Sequence, residues 1–353
     1  MGPLEKKFQH KGNVEIVTYH LSNVKEVLDR VKCNVMVVEM TPPNAEGFMS
    51  MGACGGVGNE VVLQHADMII GVINNQQPFV GNAENLIHVD QVNFLTEAHH
   101  PIAGPKAAEP SDVEISIAEH VLPYIQDGAT IQIGIGTISN ALGMGLKDRK
   151  NLGIHTEMFT ESMMELCKAG AIDGTKKNYK PGKIITAFAA GSQELIDYID
   201  GNPDIEIGNV VVVNDPSEVA KNDNFVSINT CIMTDLTGQV ASEGVGHMQI
   251  SGSGGQVDFV RGARMSKGGL SIIALSSTYK GAEGIESTIK VSLPEGTPVT
   301  TLRNDVQLIA TEHGVADLRG LTTVERAAAL IDIAHPDFRE SLRSQAKACG
   351  LVK

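Results

Sequence analysis

Two glycine-rich turns and one glutamate have the residue types and spacing for acyl chemistry. Gly134-Ile135-Gly136 follows the apolar run Thr130-Ile131-Gln132-Ile133, and Glu157 follows a second apolar run at 152–155. A denser turn, Ser251-Gly252-Ser253-Gly254-Gly255-Gln256, precedes the segment 257–261. A carboxylate at a strand end, facing two backbone loops, can attack a carbonyl as a nucleophile. The loop N–H groups would hold the resulting oxyanion without having to reorient. Such a glutamate must stay ionised, so it needs nearby donors such as Gln132 rather than deep apolar burial. Two other readings fit the same pattern. A strand, a Gly-x-Gly turn, a helix and an acid about twenty residues on also resemble a dinucleotide fingerprint, with Glu157 on a ribose hydroxyl. Against it, Ser139 stands where a third glycine or alanine is wanted. Glu157 also reads as one solvated acid among 42 acidic residues, and spacing alone leaves the three readings open.

The elements needed to position these residues form a βαβ pattern. Ser111 and Glu114 make an S-x-x-E capping box. Ile115, Ala118, Val121 and Leu122 mark one helical face, which Pro123 ends or kinks. A strand at 130–133, a turn at 134–139, a helix at 140–147 and a strand at 152–155 follow, with a right-handed crossover. Ligands of open α/β sheets sit outside the carboxyl ends of the strands, where both the turn and Glu157 fall. Earlier, 35–40 and 68–73 read as buried strands on either side of the glycine-dense turn 51–58 and a helix near 59–66. Later, 184–188, 210–213 and 225–228 read as strands, and 193–198 and 323–333 as helices. His99 to Pro110, with three prolines, reads as an interdomain connection, and its adjacent histidines lack the spacing of a metal site.

Composition narrows the function classes. At 353 residues, with 42% hydrophobic and 20% charged residues, the chain is globular and long enough for two domains. A net charge of −14, nine Phe, five Tyr and no Trp disfavour nucleic acid as a partner. The 37 glycines fit many tight strand-to-helix turns. Cys33, Cys54, Cys167, Cys231 and Cys349 show no CxxC spacing, so neither a disulfide framework nor a zinc knuckle is expected. Met1 to Gly12 is polar and basic, without the apolar run of a signal peptide, and no stretch is long enough to cross a membrane. A soluble cytoplasmic protein is expected.

Several long motifs, in order, give a sharper reading. They are 131–136 with Asn151-Leu152-Gly153-Ile154-His155-Thr156-Glu157-Met158, then 251–263, Val299-Thr300-Thr301-Leu302-Arg303-Asn304-Asp305, Thr311-Glu312-His313-Gly314-Val315-Ala316, and 333–339. Thr41-Pro42-Pro43 followed by Gly47-Phe48 extends the match toward the start. Together they resemble the acetyl-CoA hydrolase/transferase family of CoA-transferases over essentially the whole chain, especially its butyryl-CoA:acetate and 4-hydroxybutyrate branches.

The resemblance implies an α/β fold of two open, mainly parallel-sheet domains, 1–108 and 109–353, the second carrying the catalytic acid. The family's opening βα units have no counterpart here, so an incomplete N-terminal domain is expected. It implies ping-pong transfer of CoA between a short-chain acyl-CoA and a carboxylate such as acetate, through a glutamyl anhydride and a glutamyl-CoA thioester on Glu157. Gly134, Gly136, Ile138, Gly254 and Gly255 would supply oxyanion or CoA contacts, and Gln132 would lie near the carboxylate. No metal or permanent cofactor is implied, CoA thioester being a substrate, and a homo-oligomer is expected. Glu243 is the rival nucleophile, read as a structural acid because the motif falls on Glu157. Lys183, Arg261 and Arg303 read equally as CoA-phosphate partners or as ion pairs. Acyl-CoA hydrolysis, and an inactive CoA-binding relative or subunit, are the alternative functions.

Overall fold

The computed structural model describes residues 7–9, 11–104, 108–281 and 284–353. Part of the polar start (1–6 and 10) and Pro105 of the proline-rich connection lie outside the described residues. The first sheet is parallel and three-stranded, in the order β1 (Val35–Met40), β2 (Met68–Ile73) and β3 (Phe94–Glu97). Alternation along β1 buries Met36, Val38 and Met40 in one cluster with Met49, Ile69 and Ile73. Val35 and Val37 on the other face, and Phe94 of β3, are exposed.

The second sheet has eight strands: β4 (Thr130–Ile133), β5 (Gly153–Phe159), β6 (Ile184–Ala189), β7 (Ile205–Ile207), β8 (Phe225–Thr230), β9 (Leu270–Ala274), β10 (Leu308–Thr311) and β11 (Gly314–Asp317). Their spatial order is β11-β10-β9-β8-β4-β5-β6-β7. All neighbours are parallel except the β10–β11 hairpin. β4 and β9 are buried at every position, as a sheet covered on both faces requires. From β4 the chain winds outward through β5, β6 and β7, then returns to β8 on the other side of β4 and winds the opposite way. That reversal makes a crevice at the carboxyl ends of β4 and β8.

Local chemistry explains the elements around this crevice. The Ser111 N–H and hydroxyl both donate to Glu114 at 2.6 Å and close the start of α1 (Asp112–Val121). Glu114 also accepts from the Thr137 hydroxyl, which ties α1 to α2 (Thr137–Gly145). α2 begins three residues earlier than the sequence reading placed it, because Gly136 adopts φ 111°, open only to glycine, and turns β4 directly into the helix. β5 runs on to Phe159, so Glu157 lies within its last turn of pleat rather than beyond it.

One element differs in kind. Val210–Val213, expected as a strand, is a helical turn, α3. The Asn209 side chain accepts from the Val211 N–H at 3.0 Å and caps it, and Val210 and Val213 pack beside Ile185 and Ala187. Capping and packing outweigh the strand preference of four β-branched residues. The turn 51–58 docks here: the Val210 N–H donates to the Gly56 carbonyl at 2.8 Å. Any side chain at Gly56 would overlap the Ala187 and Gly208 carbonyls.

Candidate active site

Glu157 reaches a cleft of about 280 Å³ at the carboxyl end of β5. Ile133 and Gly134 after β4, Met158, Phe188, Asn229 and the loop 251–255 line it. Glu157 is the one charged side chain among the described residues lining the cleft. Its surroundings therefore act through neutral dipoles. The Asn214 Nδ2 donates to Glu157 Oε2 at 2.7 Å, and the Gly255 N–H also donates to the carboxyl. Gly255 caps the N-terminus of α4 (Gln256–Met265), so the positive end of a ten-residue helix faces the anion. A side chain at Gly255 would overlap both Glu157 Oε2 and Asn214 Nδ2. Gly254 adopts φ 57°, which glycine accepts without strain.

Burial raises the Glu157 carboxyl above its ordinary value. The Asn214 bond opposes that rise, the nearby Asp258 charge adds to it, and the Gly255 bond lowers it. Burial thus favours the neutral carboxyl, the two aimed donors favour its ionised form, and no cationic side chain lines the cleft among the described residues.

Distant segments fix this arrangement from behind. The Ser22 N–H and hydroxyl donate to Asp258 of α4 at 3.0 and 2.7 Å. The Ser253 hydroxyl donates to the Tyr19 carbonyl at 2.9 Å. At the loop's other end, the Glu243 carbonyl accepts from the Ile250 and Ser251 N–H groups.

The structure brings Gln132, Gly134, Gly254 and Gly255 to the Glu157 cleft. Gln132 does not donate to Glu157. It forms a reciprocal amide pair with Asn229 at 3.1 Å each way and accepts from the Ser227 hydroxyl at 2.7 Å, across the β4–β8 reversal. The Gly134 N–H is committed to the Ile228 carbonyl at 2.8 Å. Gly136 lines the adjoining cleft with Thr160 and Gly191, and the Ile138 side chain packs into the main core. Glu243 is outside the cleft lining, and its carboxyl accepts from the Thr300 hydroxyl at 3.4 Å. Arg261 pairs with Asp305 at 3.0 Å. Lys183 precedes β6 and binds the Pro203 carbonyl at 2.7 Å, at the opposite edge of the sheet from Glu157. Arg303 is exposed.

Sequence reasoning missed Asn214, Ser22 and Asp258. Asn214 directly follows a run read as a strand, where a side chain aimed at β5 had no place. Ser22 lies 236 residues from Asp258, with no local signal to join them. Among the described residues, no three His, Cys, Asp or Glu side chains converge as a metal site needs, and no helix is long and apolar enough to cross a membrane.

The chain is similar to several known proteins. The acetyl-CoA hydrolase/transferase C-terminal domain profile matches residues 191–346, a span that holds Asn214 and the 251–255 loop but not Glu157. A 4-hydroxybutyrate coenzyme A transferase of Clostridium kluyveri is 44% identical over 90% of this chain and 73% of its own length. A butyryl-CoA:acetate CoA-transferase of Anaerostipes caccae is 37% identical over 98% of this chain and 79% of its own. The crystal structure of RipA from Yersinia pestis superposes with a TM-score of 0.91 at 35% identity, covering 99% of this chain and 79% of that one.

Proposed function

The chain belongs to the acetyl-CoA hydrolase/transferase family, and from that premise we propose that Glu157 carries its chemistry. It is an enzyme with CoA-transferase activity, exchanging CoA between an acyl-CoA and a carboxylate. The names of its relatives favour short-chain acids, among them hydroxybutyrate, butyrate and acetate. A homo-oligomer working in the cytoplasm belongs to the same reading.

The Glu157 carboxylate attacks the thioester carbonyl, and the oxyanion collapses with loss of CoA thiolate, leaving an acyl-glutamyl anhydride. The thiolate attacks the glutamyl carbonyl, expels the first carboxylate and forms a glutamyl-CoA thioester. An incoming carboxylate attacks that thioester, again releasing thiolate and forming a second anhydride. Thiolate attack on its acyl carbonyl yields the new acyl-CoA and returns Glu157 as a carboxylate. Each step replaces one activated acyl bond with another, so no net proton or phosphoryl donor is consumed. Neutral donors suit this cycle: the Gly255 amide and the α4 N-terminus serve an anion in the resting state and in each tetrahedral intermediate. Ile133, Met158 and Phe188 give the cleft apolar walls for a short acyl chain.

The observation that carries this reading is Glu157 itself, met by donors from Asn214 and Gly255 and open to the cleft at the strand-order reversal. Treatment with acyl-CoA and then borohydride, followed by peptide mass spectrometry, should show reduction at Glu157. Reduction confined to Glu243 would overturn the assignment. Acyl-CoA loss that does not depend on added acetate would replace transfer by hydrolysis.

A further inference from the structure

His155 precedes Glu157 by two residues on β5, so both side chains leave the same face of the sheet. The ring is buried among Tyr179, Phe225 and Phe259, with centroid separations of 6.2 to 6.4 Å. Its Nε2 lies 2.7 Å from the Val213 carbonyl. A carbonyl can only accept, so Nε2 carries the proton. Nδ1 lies 3.1 Å from the Asn222 Nδ2, which also donates to the Val219 carbonyl at 3.0 Å. Two acceptors facing one amide nitrogen fix the orientation of Asn222, and they leave Nδ1 as an acceptor. The ring is therefore one neutral tautomer, held at both nitrogens. Burial pushes it down to about 4, which keeps it neutral across the working range.

Val213 is the last residue of α3, and Asn214, the next residue, donates to the Glu157 carboxyl at 2.7 Å. The last carbonyls of a short helix have no partner within the helix. His155 takes one of them at the residue that must hold Asn214 in place. One strand thus carries both the carboxyl and the pin for that carboxyl's donor.

We propose that His155 is a positioning residue for CoA transfer: its Nε2–H holds the Val213 carbonyl and so keeps the Asn214 amide against Glu157. The inference rests on Glu157 as the nucleophile. Loss of the pin lets Asn214 drift, and the carboxyl loses a donor that favours its ionised form. Protonation then sets in at higher pH, and transfer fails sooner as the medium is acidified. The charged groups near Glu157 and His155 are Asp258 of α4, and Lys177, Lys180 and Glu218 respectively. All four are unchanged in the variants below, so differences between variants report the Asn214 contact.

The test is CoA transfer measured from pH 5 to 9 for the full chain and for H155F, H155Q, N214A, H155F/N214A and E157Q. H155F keeps a ring but has no donor. It should lower kcat about tenfold, leave the acyl-CoA KM within about twofold, and move the acid limb up by about one pH unit. N214A should do the same, and the double variant should add nothing further. H155Q, which retains an N–H, should recover most of the loss. A folded H155F with an unmoved acid limb, or losses that add in the double variant, would overturn the proposal. Should H155F not fold, N222A replaces it, with the limb expected to move in the same direction and an unmoved limb counting against the proposal. Wild-type transfer by E157Q would sink the nucleophile reading and this inference together. An inactive E157Q beside an unmoved limb would sink this inference alone.

Discussion

Glu157 and Lys177 are both largely buried against β5, and both are pushed toward their neutral forms by burial. Lys177 is driven down to about 7, and its Nζ donates to the Ile154 carbonyl at 2.9 Å and the Lys183 carbonyl at 2.6 Å. Two carbonyls match the two N–H bonds of a neutral amine. Its stem lies where a side chain at Gly153 would be, so glycine there lets the lysine fold over the strand. Glu157, at the other end of the strand, is met by the amide of Asn214 just after α3 and a backbone N–H at the start of α4, and it opens onto a cleft. Perturbation is common to both groups. Access and aimed donors belong to one, and those make a reactive site out of a perturbed one.

The comparison breaks if Glu157 proves dispensable. E157Q should lower CoA transfer by about 10³-fold or more while leaving the fold intact, measured by acyl-CoA formation and circular dichroism. The raised carboxyl also places the acid limb of wild-type kcat above the ordinary glutamate value of 4.5, with activity lost as pH falls through it. G255A is next. Its added methyl displaces both the carboxyl and Asn214, and a displacement on that scale should cost about 10²-fold in kcat. S22A removes one of two anchors on Asp258 and should reduce kcat only about threefold.

K177M sharpens the contrast from the other end, with transfer at neutral pH expected to stay within about twofold of wild type. Its effect should appear in stability. Between about pH 7 and 10.5 the unfolded lysine holds a proton that the folded one has given up. The penalty is therefore full below pH 7 and fades as pH rises. Urea titrations should show wild type gaining about 2 kcal/mol on K177M between pH 7 and 9. Equal pH slopes would show that Lys177 stays charged.

The parts legible in the sequence are those written in local patterns. Apolar runs marked β1, β2, β4, β6 and β8 to within two residues, and Ser111 with Glu114 marked the start of α1. β4, β6 and β8, covered on both faces, carry that signal in nearly every residue, and β1 and β2 carry it most strongly in alternate ones. Glu157 and Glu243 could not be told apart by spacing, since each acid follows an apolar stretch. The family resemblance favoured Glu157, and in three dimensions Glu157 lines the cleft while Glu243 is bonded to Thr300. Val210–Val213 misled because β-branched residues favour strands until a cap and a core say otherwise. Asn214 was lost with it, and the donor of Gln132 was assigned to the wrong acceptor, because orientation within a sheet depends on which strand comes to lie alongside.

The Ser22–Asp258 contact ties the site to a remote segment of the chain. Closing a loop of 236 residues costs more entropy than closing the locally wound βα units of the large sheet. Until the segment around Tyr19 and Ser22 docks, the loop holding Gly254 and Gly255 lacks its outer anchor. A nucleophile on β5 thus depends, through α4 and its preceding loop, on a segment more than two hundred residues away in the chain.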